Sequence, residues 1–312
     1  MIPSKVSLVD VGPRDGLQNE AAQVSTAHKI ELVRRLQAAG LRAIEVASFV
    51  SAKWVPQMAD GAQVLRGIAR PAGVVHGALV PNLKGLQAVL ALPLHERPAE
   101  IVVFGAASEA FSRRNINCGI DESIERFAPV VQAARAAGLK VRGSISCALG
   151  CPYEGEIAPE RVGRVAQAMR GIGVQHVGVA DTIGVGTPRR VQAAMEAALA
   201  HFPLAEVSGH FHDTYGQALA NVYASLEMGV QVFDASVGGL GGCPYAKGAT
   251  GNVATEDLVF MLDGLGIESG VDLDALVDAA AFIGGVLGRK PISRVSNAVL
   301  AKRRAAEPAA AA

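Results

Sequence analysis

The sequence predicts an α/β protein of the (β/α)8 class, a TIM barrel with additional C-terminal helices. Short apolar runs rich in β-branched residues alternate with stretches of helix-forming Ala, Leu, Glu and Arg, which indicates a parallel sheet. Eight such units follow one another, and this number favours closure into a barrel over an open, doubly wound sheet, which is the alternative. A chain of 312 residues, of which 50% are hydrophobic, can bury one large core.

Each predicted strand begins where an apolar run begins, near Val6, Ala43, Val74, Ile101, Val141, Val174, Val207 and Val232. The first helix illustrates the local signals, because Ser25 is a suitable N-cap and Gly40 follows the last apolar turn. A later helix is predicted to begin with Thr187 as the N-cap and Pro188 in the first helical position.

Two further helices are predicted after the eighth unit, over Leu273–Leu287 and over residues 295–304, with no strand between them. We expect them to cap or flank the barrel. Residues 1–304 are therefore predicted to form a single catalytic domain. Residues 305–312 are alanine-rich without apolar periodicity, and we expect a disordered tail there.

Composition excludes several classes of function. Lys plus Arg and Asp plus Glu number 29 each, so no overall basic field exists to attract nucleic acid or an anionic membrane. The four cysteines form neither a disulfide framework nor the paired spacings of a structural zinc site. No targeting peptide is recognisable and no apolar run reaches about 18 residues. We expect a soluble cytoplasmic protein with reduced thiols and no membrane or nucleic-acid partner.

Ionisable residues collect where the predicted strands end, which is the face of a (β/α)8 barrel that carries active sites. Arg14 and Asp15 follow strand one, Glu45 ends strand two, Asp181 follows strand six, His210 and His212 end strand seven, and Cys243 and Asn252 lie beyond strand eight. Closure of the barrel would bring strands one and seven together on either side of strand eight. The same mouth is thus predicted to hold all of these groups.

The His-x-His at His210 and His212 indicates a divalent metal site. Alternating strand positions direct both imidazoles to one face, while Phe211 between them turns towards the helices. Asp15 could complete a facial set, and the amide oxygen of Asn252 could add a further ligand. The alternative is a pair of histidines that only hydrogen-bond in a polar strand end.

The charged residues near the first, second and sixth strands have functional and structural interpretations. Arg14 at the mouth would stabilise an enolate oxygen, although an Arg-Asp pair is often only solvated or paired charge. Glu45 follows Ile44 in an apolar strand, so a partner such as Arg14 or a metal-bound water is expected. Asp181 could have a similar supporting role or could simply cap the next loop.

A loop with six glycines from Gly238 to Gly251 surrounds the single cysteine Cys243. Such a backbone can approach a substrate closely and move over it, bringing the thiol to the mouth as acid, base or nucleophile. The loop lacks the Gly-Lys-Ser/Thr of a phosphate-binding loop. The alternative is a structural glycine turn with an inert cysteine. Cys147, Cys151 and the remaining histidines are predicted to have no chemical role.

The chain closely resembles the 3-hydroxy-3-methylglutaryl-CoA lyase family, within the wider group of metal-dependent barrel lyases and Claisen-type synthases. The resemblance extends from about Val9 to Arg304. It is carried by Gly12-Pro13-Arg14-Asp15-Gly16-Leu17-Gln18-Asn19-Glu20, Ser48-Phe49-Val50-Ser51, Lys53-Trp54-Val55-Pro56-Gln57-Met58, Asp181-Thr182-Ile183-Gly184-Val185-Gly186-Thr187-Pro188, His212-Asp213-Thr214-Tyr215-Gly216-Gln217-Ala218-Leu219-Ala220-Asn221 and Gly241-Gly242-Cys243-Pro244-Tyr245-Ala246-Lys247-Gly248.

This resemblance implies roles for individual residues. Asp15, His210, His212 and Asn252 would hold a divalent cation, Mg²⁺ or Mn²⁺. Arg14 would lie at the substrate carbonyl, with Gln18 as a second substrate contact, and Cys243 would be the catalytic thiol. Glu45, Asp181 and Glu256 would be supporting polar residues. Which group first removes the hydroxyl proton stays open between His210 and Asp15.

The function implied is cleavage of 3-hydroxy-3-methylglutaryl-CoA, an acyl-CoA thioester, to acetyl-CoA and acetoacetate, as in leucine breakdown. One alternative is a lyase for a related, longer 3-hydroxyacyl-CoA. Another is a condensing synthase that uses acetyl-CoA, although synthases of the wider group usually carry a large additional region. A metal-binding protein without catalysis is the third. The family usually pairs, so a homodimer or a higher homo-oligomer is expected.

Overall fold

The structure, a computed structural model, describes residues 2–242 and 251–306 and contains a closed barrel of eight parallel strands. Every strand pairs with its neighbours in chain order, and the first strand pairs with the eighth. The strands are β1 (Ser7–Asp10), β2 (Ala43–Ser48), β3 (Val75–Leu79), β4 (Glu100–Ala106), β5 (Lys140–Ser146), β6 (His176–Asp181), β7 (Val207–Phe211) and β8 (Val232–Ala235). The predicted fold class is therefore confirmed, and each strand begins within two residues of its predicted start.

Helices follow the strands and surround the barrel. They are α1 (Thr26–Ala38), α2 (Gly61–Gly67), α3 (Leu83–Leu90), α4 (Glu109–Ile116), α5 (Ile120–Ala136), α6 (Pro159–Gly171), α7 (Pro188–Leu199), α8 (Ala218–Glu227), α9 (Thr255–Gly264), α10 (Leu273–Leu287) and α11 (Arg294–Ala306). The pair α4 and α5 and the short antiparallel hairpin of Gly150–Cys151 and Gly155–Glu156 depart from the simple alternation. Both insertions lie in loops that follow strands.

The predicted helix starts agree with the structure at two positions. The Ser25 hydroxyl accepts a hydrogen bond from the backbone N–H of His28, and α1 begins at the next residue, Thr26. Helix α7 begins at Pro188 after Thr187, whose extended backbone marks the boundary although its side chain makes no capping hydrogen bond. Proline at the first helical position costs no hydrogen bond because the first turn has free N–H groups anyway.

The apolar core lies between the strands and the surrounding helices. Ile101 and Val103 on β4 are fully buried and belong to this core with Val130 and Val131 of α5. The barrel interior differs, because charged side chains such as Glu45 and Arg142 point into it and are also buried. Their charges need partners inside the barrel.

The two predicted C-terminal helices are present as α10 and α11. Helix α10 packs on α1, and α11 packs on α9 and α10. The predicted tail from residue 305 starts too early, because α11 continues to Ala306; residues 307–312 lie outside the described residues. No helix in the described ranges has both the length and the apolar character that crossing a membrane requires.

Candidate metal and active site

The turn after β1 presents Arg14 and Asp15 at the C-terminal mouth of the barrel. Residues Gly12–Gly16 form one widened helical turn with Pro13 at its start. A Cβ on Gly12 would lie 2.8 Å from a carboxylate oxygen of Asp10, and one on Gly16 would lie 2.8 Å from the side chains of Leu240 and Ser236. Both glycines therefore allow the turn to sit close to the segment after β8, which carries the rest of the site.

Arg14 is held by carboxylates on two sides. Its Nε donates to Glu45 Oε1 at 2.8 Å, Nη2 donates to Glu45 Oε2 at 3.1 Å, and Nη1 donates to Asp15 Oδ1 at 2.7 Å. Glu45 therefore has Arg14 as its partner, one of the two partners expected for it. Glu45 is, however, the third residue of β2 and not its end, because the strand continues to Ser48. A bidentate fork of this kind fixes the plane of the guanidinium and leaves two of its five N–H groups for a ligand.

Asp15, His210 and His212 converge as the sequence predicts. One ligand atom from each lies within 4.8 Å of the others, and the Nε2 atoms of the two imidazoles are 3.3 Å apart. Phe211 lies against Gly209 beside Met195 of α7, so its ring faces the helices. One carboxylate and two imidazole nitrogens around a common point are a donor set that suits a divalent transition metal or Mg²⁺. The residues present therefore fit a divalent cation.

Asn252 borders the same cluster. It forms an isolated β-bridge with His212, and its Nδ2 donates to Asp15 Oδ2 at 2.9 Å and to the Leu240 carbonyl at 3.2 Å. The Asn252 side chain also hydrogen-bonds to His212. The Asn252 side chain thus contacts both Asp15 and His212, two of the residues with which it was predicted to bind a metal.

The electrostatics of the cluster favour an anionic carboxylate beside a neutral imidazole. Burial alone would raise the pKa of Asp15, but the neighbouring charge of Arg14, as the largest opposing cause, lowers it well below its usual range. For His212, burial and then the neighbouring His210 lower the pKa to about 4. An ionised carboxylate and an unprotonated imidazole are the forms in which these groups bind metals.

Asp181 and Glu256 contact loop backbone. The Asp181 carboxylate accepts hydrogen bonds from the backbone N–H groups of Val185 and Gly186, at 3.1 and 2.8 Å, as a loop cap does. Glu256 is fully buried and accepts a hydrogen bond at 2.8 Å from the N–H of Gly238 in the turn after β8. Burial, as the largest cause, raises the pKa of Asp181 to about 6 and that of Glu256 to about 8.

Gln18 and Cys243 are the two remaining residues of the predicted site. Gln18 follows the Arg14 turn, and its side-chain oxygen is buried without a hydrogen-bond partner among the described residues. That oxygen is free to accept a hydrogen bond from a ligand. Cys243 lies outside the described residues, and so does most of the glycine-rich loop after Gly242. The histidines and cysteines given no chemical role stay outside the Asp15 cluster.

Sequence reasoning missed two residues below the mouth, Asp234 and Arg142. Asp234 Oδ2 lies 3.1 Å from His210 Nδ1, and its other oxygen accepts a hydrogen bond from Arg142. Both lie within strands and not beyond a strand end, where the sequence pattern indicates functional charges. The sequence feature that could have indicated Asp234 is a carboxylate inside a short apolar strand, at Phe233-Asp234-Ala235.

Comparisons with known proteins identify the family of this chain. Residues 5–283 match the HMGL-like family. The chain is 56% identical over 301 residues to a Pseudomonas aeruginosa protein named 3-hydroxy-3-isohexenylglutaryl-CoA/hydroxy-methylglutaryl-CoA lyase, covering 96% of this chain and 99% of that one. It is 52% identical over 297 residues to the human mitochondrial hydroxymethylglutaryl-CoA lyase, covering 95% and 90% of the two chains.

Solved structures give the same result. The crystal structure of hydroxymethylglutaryl-CoA lyase from Pseudomonas aeruginosa superimposes with a TM-score of 0.93 at 56% identity, over 96% of this chain and 99% of that one. An HMG-CoA lyase from Acinetobacter baumannii, solved in complex with coenzyme A and 3-methylmalate, superimposes with a TM-score of 0.89 at 35% identity, over 95% of each chain. The family that the sequence motifs indicated is thereby confirmed. The chain belongs to the HMGL-like family, with the hydroxymethylglutaryl-CoA lyases as its relatives.

Proposed function

We propose that this protein is a metal-dependent carbon–carbon lyase that cleaves 3-hydroxy-3-methylglutaryl-CoA to acetyl-CoA and acetoacetate. The observation that carries the proposal is the convergence of Asp15, His210 and His212 beside the fixed guanidinium of Arg14. Full-length identity above 50% to proteins named for this reaction supports the substrate.

A divalent cation, Mg²⁺ or Mn²⁺, held by Asp15, His210, His212 and Asn252, would supply the Lewis acidity that makes the tertiary hydroxyl of the substrate acidic. The reaction removes the hydroxyl proton, forms the ketone of acetoacetate and breaks the bond between C2 and C3. The electron pair of that bond remains with the two-carbon thioester as an enolate, which then takes up a proton at carbon to give acetyl-CoA.

Arg14 is the group proposed to stabilise the enolate oxygen. Its fork is fixed by Glu45 and Asp15, so its remaining N–H groups need no reorganisation when negative charge develops. Burial alone would lower the pKa of Arg14, but the charges of Glu45 and Asp15 raise it, so the guanidinium stays charged. Gln18, whose oxygen is free, is proposed as a second substrate contact.

Cys243 is proposed as the acid that protonates the enolate carbon. A thiol is a suitable donor because its ordinary pKa, about 8.5, leaves it protonated at neutral pH. Asp15 is better suited to bind the cation than to act as the base, since its lowered pKa makes it a weak proton acceptor. Asp181 and Glu256 would support the mouth through the loop backbone that they hold.

The test is a product assay on purified protein with 3-hydroxy-3-methylglutaryl-CoA, with and without a chelator. Equal amounts of acetyl-CoA and acetoacetate should form, and chelation should abolish both until Mg²⁺ or Mn²⁺ is restored. Cys243→Ala should retain metal binding and lose most of the turnover. Thiol release from acetyl-CoA plus a keto acid, without cleavage of the glutaryl thioester, would contradict the proposal in favour of a condensing synthase.

A second candidate substrate is a longer 3-hydroxyacyl-CoA with a branched chain. The observation that favours it is the double name of the Pseudomonas aeruginosa relative, which includes an isohexenylglutaryl thioester. Each additional buried CH₂ contributes about 0.8 kcal/mol of apolar transfer energy where a pocket accommodates it. The ratio of kcat/KM for the two thioesters decides between them, and a ratio above ten in favour of the longer chain would assign the protein to that substrate.

Residues 1–304 are proposed to act as one catalytic domain, working as a homodimer or higher homo-oligomer in the cytoplasm. The thiols of Cys118 and Cys151 are not in disulfides, which suits a reducing compartment. The exposed ring of Phe260 on α9 is available to a subunit interface. Light scattering of the purified chain measures the oligomeric state directly.

A further inference from the structure

The charged side chains inside the barrel form a chain of contacts that leads to the metal cluster from below. Arg142 on β5 donates to Asp234 on β8 and, at 2.8 Å, to the hydroxyl of Ser208 on β7. Asp234 contacts His210 on its other side, with 3.1 Å between Oδ2 and Nδ1. Arg142 and Asp234 are only 6% and 11% exposed at their side chains, so water does not replace these contacts.

Strand register creates this arrangement. Asp234 and His210 are directly opposite each other in the parallel pairing of β8 with β7, so their side chains point into the barrel at the same level. His210 consequently has one ring nitrogen, Nδ1, on Asp234 and the other, Nε2, in the cluster with Asp15 and His212. The two nitrogens of one ring thus face two different chemical environments.

An acceptor at Nδ1 determines where the proton of a neutral imidazole lies. A carboxylate without a proton can only accept, so Nδ1 must carry the hydrogen and Nε2 must present its lone pair. Arg142 can only donate, and it lies on the far side of the same carboxylate. One oxygen of the Asp234 carboxylate thus accepts from Arg142 while the other faces His210 Nδ1.

We propose that Asp234, held by Arg142, is a positioning residue that fixes His210 in the tautomer whose Nε2 can bind the divalent cation. The proposal rests on the metal site described under the proposed function, and it adds a dependence on residues that touch neither metal nor substrate. Groups that hydrogen-bond to a metal-binding histidine in this way typically change metal affinity by 10- to 100-fold.

The amide variant Asp234→Asn gives the sharpest test. Because Arg142 only donates, the amide oxygen of Asn would turn to Arg142 and the NH₂ would face His210 Nδ1. Nδ1 would then accept, and the proton would move to Nε2, where it blocks the metal. In Asp234→Ala nothing selects the tautomer, so part of the His210 population keeps a free Nε2. Both variants lose the same negative charge, so loss of charge alone cannot explain a weaker metal affinity in Asp234→Asn than in Asp234→Ala.

The measurement is the Mn²⁺ dissociation constant of the full-length protein, followed by electron paramagnetic resonance of free Mn²⁺. We expect a 10- to 100-fold loss of affinity in Asp234→Asn and a smaller loss in Asp234→Ala. Glu100→Gln is the matched control, since the charge of Glu100 also acts on Arg142, whereas the carboxylate at His210 Nδ1 is that of Asp234. It should keep its affinity within about threefold of the wild type.

The outcomes separate this inference from the metal site itself. His210→Ala with unchanged Mn²⁺ affinity would remove the metal role of His210 and with it the proposed function. Loss in His210→Ala together with wild-type affinity in Asp234→Asn, or equal losses in the Asn and Ala variants, would overturn the tautomer role alone. Should neither Asp234 variant fold, ¹⁵N spectra of histidine in metal-free wild-type protein decide: a proton on Nδ1 of neutral His210 supports the proposal, and one on Nε2 overturns it.

Discussion

The substitution Arg14→Lys tests whether the fixed fork, and not merely its positive charge, is needed. Arg14 makes two hydrogen bonds to Glu45 and one to Asp15, and its side chain is only 11% exposed. A lysine has one nitrogen, which cannot bond to both oxygens of Glu45, reach Asp15 and still face a substrate oxygen. At least one of these charge-assisted hydrogen bonds is lost, at a cost of roughly 1.5–3 kcal/mol in stability.

The effect on catalysis should be as large as the loss of one donor to a developing oxyanion. Such a loss typically raises the barrier by about 2.7–4 kcal/mol, which corresponds to a 100- to 1000-fold lower kcat. We expect KM to change far less, because the missing interaction forms mainly as charge develops on the enolate oxygen. The assay is steady-state cleavage of 3-hydroxy-3-methylglutaryl-CoA, with thermal melting and Mn²⁺ affinity measured on the same preparation.

A matched control is Arg34→Lys, because Arg34 forms an exposed pair with Glu31 on α1 and is far more solvated. Exposed pairs of this kind contribute little, so activity and stability should stay near those of the wild type. The reasoning is refuted if Arg14→Lys is folded, binds Mn²⁺ normally and cleaves the substrate within tenfold of the wild-type kcat. Charge alone would then suffice at this position.

Three further outcomes follow from the structure. Glu256→Gln should become increasingly stable relative to the wild type between about pH 5 and pH 8. Burial raises the folded pKa of Glu256 from 4.5 to about 8, so the stability that the wild type gains from the protonated carboxyl is lost as the pH rises through this range. A free energy of unfolding that changes with pH equally in the two proteins would contradict this. Gly186→Ala should lower stability by about 1–3 kcal/mol, since its Cβ would lie 2.8 Å from Asp181 Oδ2. Gly171→Ala is the control, because its Cβ would meet no atom within 4 Å. Equal melting temperatures of the two variants would refute the clash. Mn²⁺ at 100 times its dissociation constant should stabilise the wild type by about 2.7 kcal/mol and leave His210→Ala unchanged, as followed by urea unfolding.

Much of the site could be predicted from local sequence. Strand ends in a (β/α)8 barrel all meet at one face, so residues such as Asp15 and His212 could be assigned to one mouth without knowledge of any contact. The His-x-His spacing fixed the direction of two imidazoles because side chains alternate along a strand. The residue types at the strand ends were thus enough to predict that Asp15, His210 and His212 lie close together, as they do in the structure.

Contacts inside the barrel depended on register between strands, which short apolar runs do not specify. Asp234 reaches His210 because β8 pairs with β7 at that level, and a shift by one residue would turn Asp234 to the helices. The apolar sequence around Glu45 predicts a strand that ends there, whereas pairing with β3 carries β2 on to Ser48. Such pairing involves residues far apart in the chain.

The amino-acid sequence by itself determined the alternation of strands and helices, the number of units and the set of chemical groups delivered to one end of the barrel. Only the tertiary structure decided which of those groups touch: Arg14 with Glu45, Asn252 with Asp15, and Asp234 between Arg142 and His210. The physical reason is the distance along the chain over which each effect acts. Periodicity and capping act over a few neighbouring residues, while burial of a charge is resolved by whichever partner the closed barrel brings within hydrogen-bonding distance.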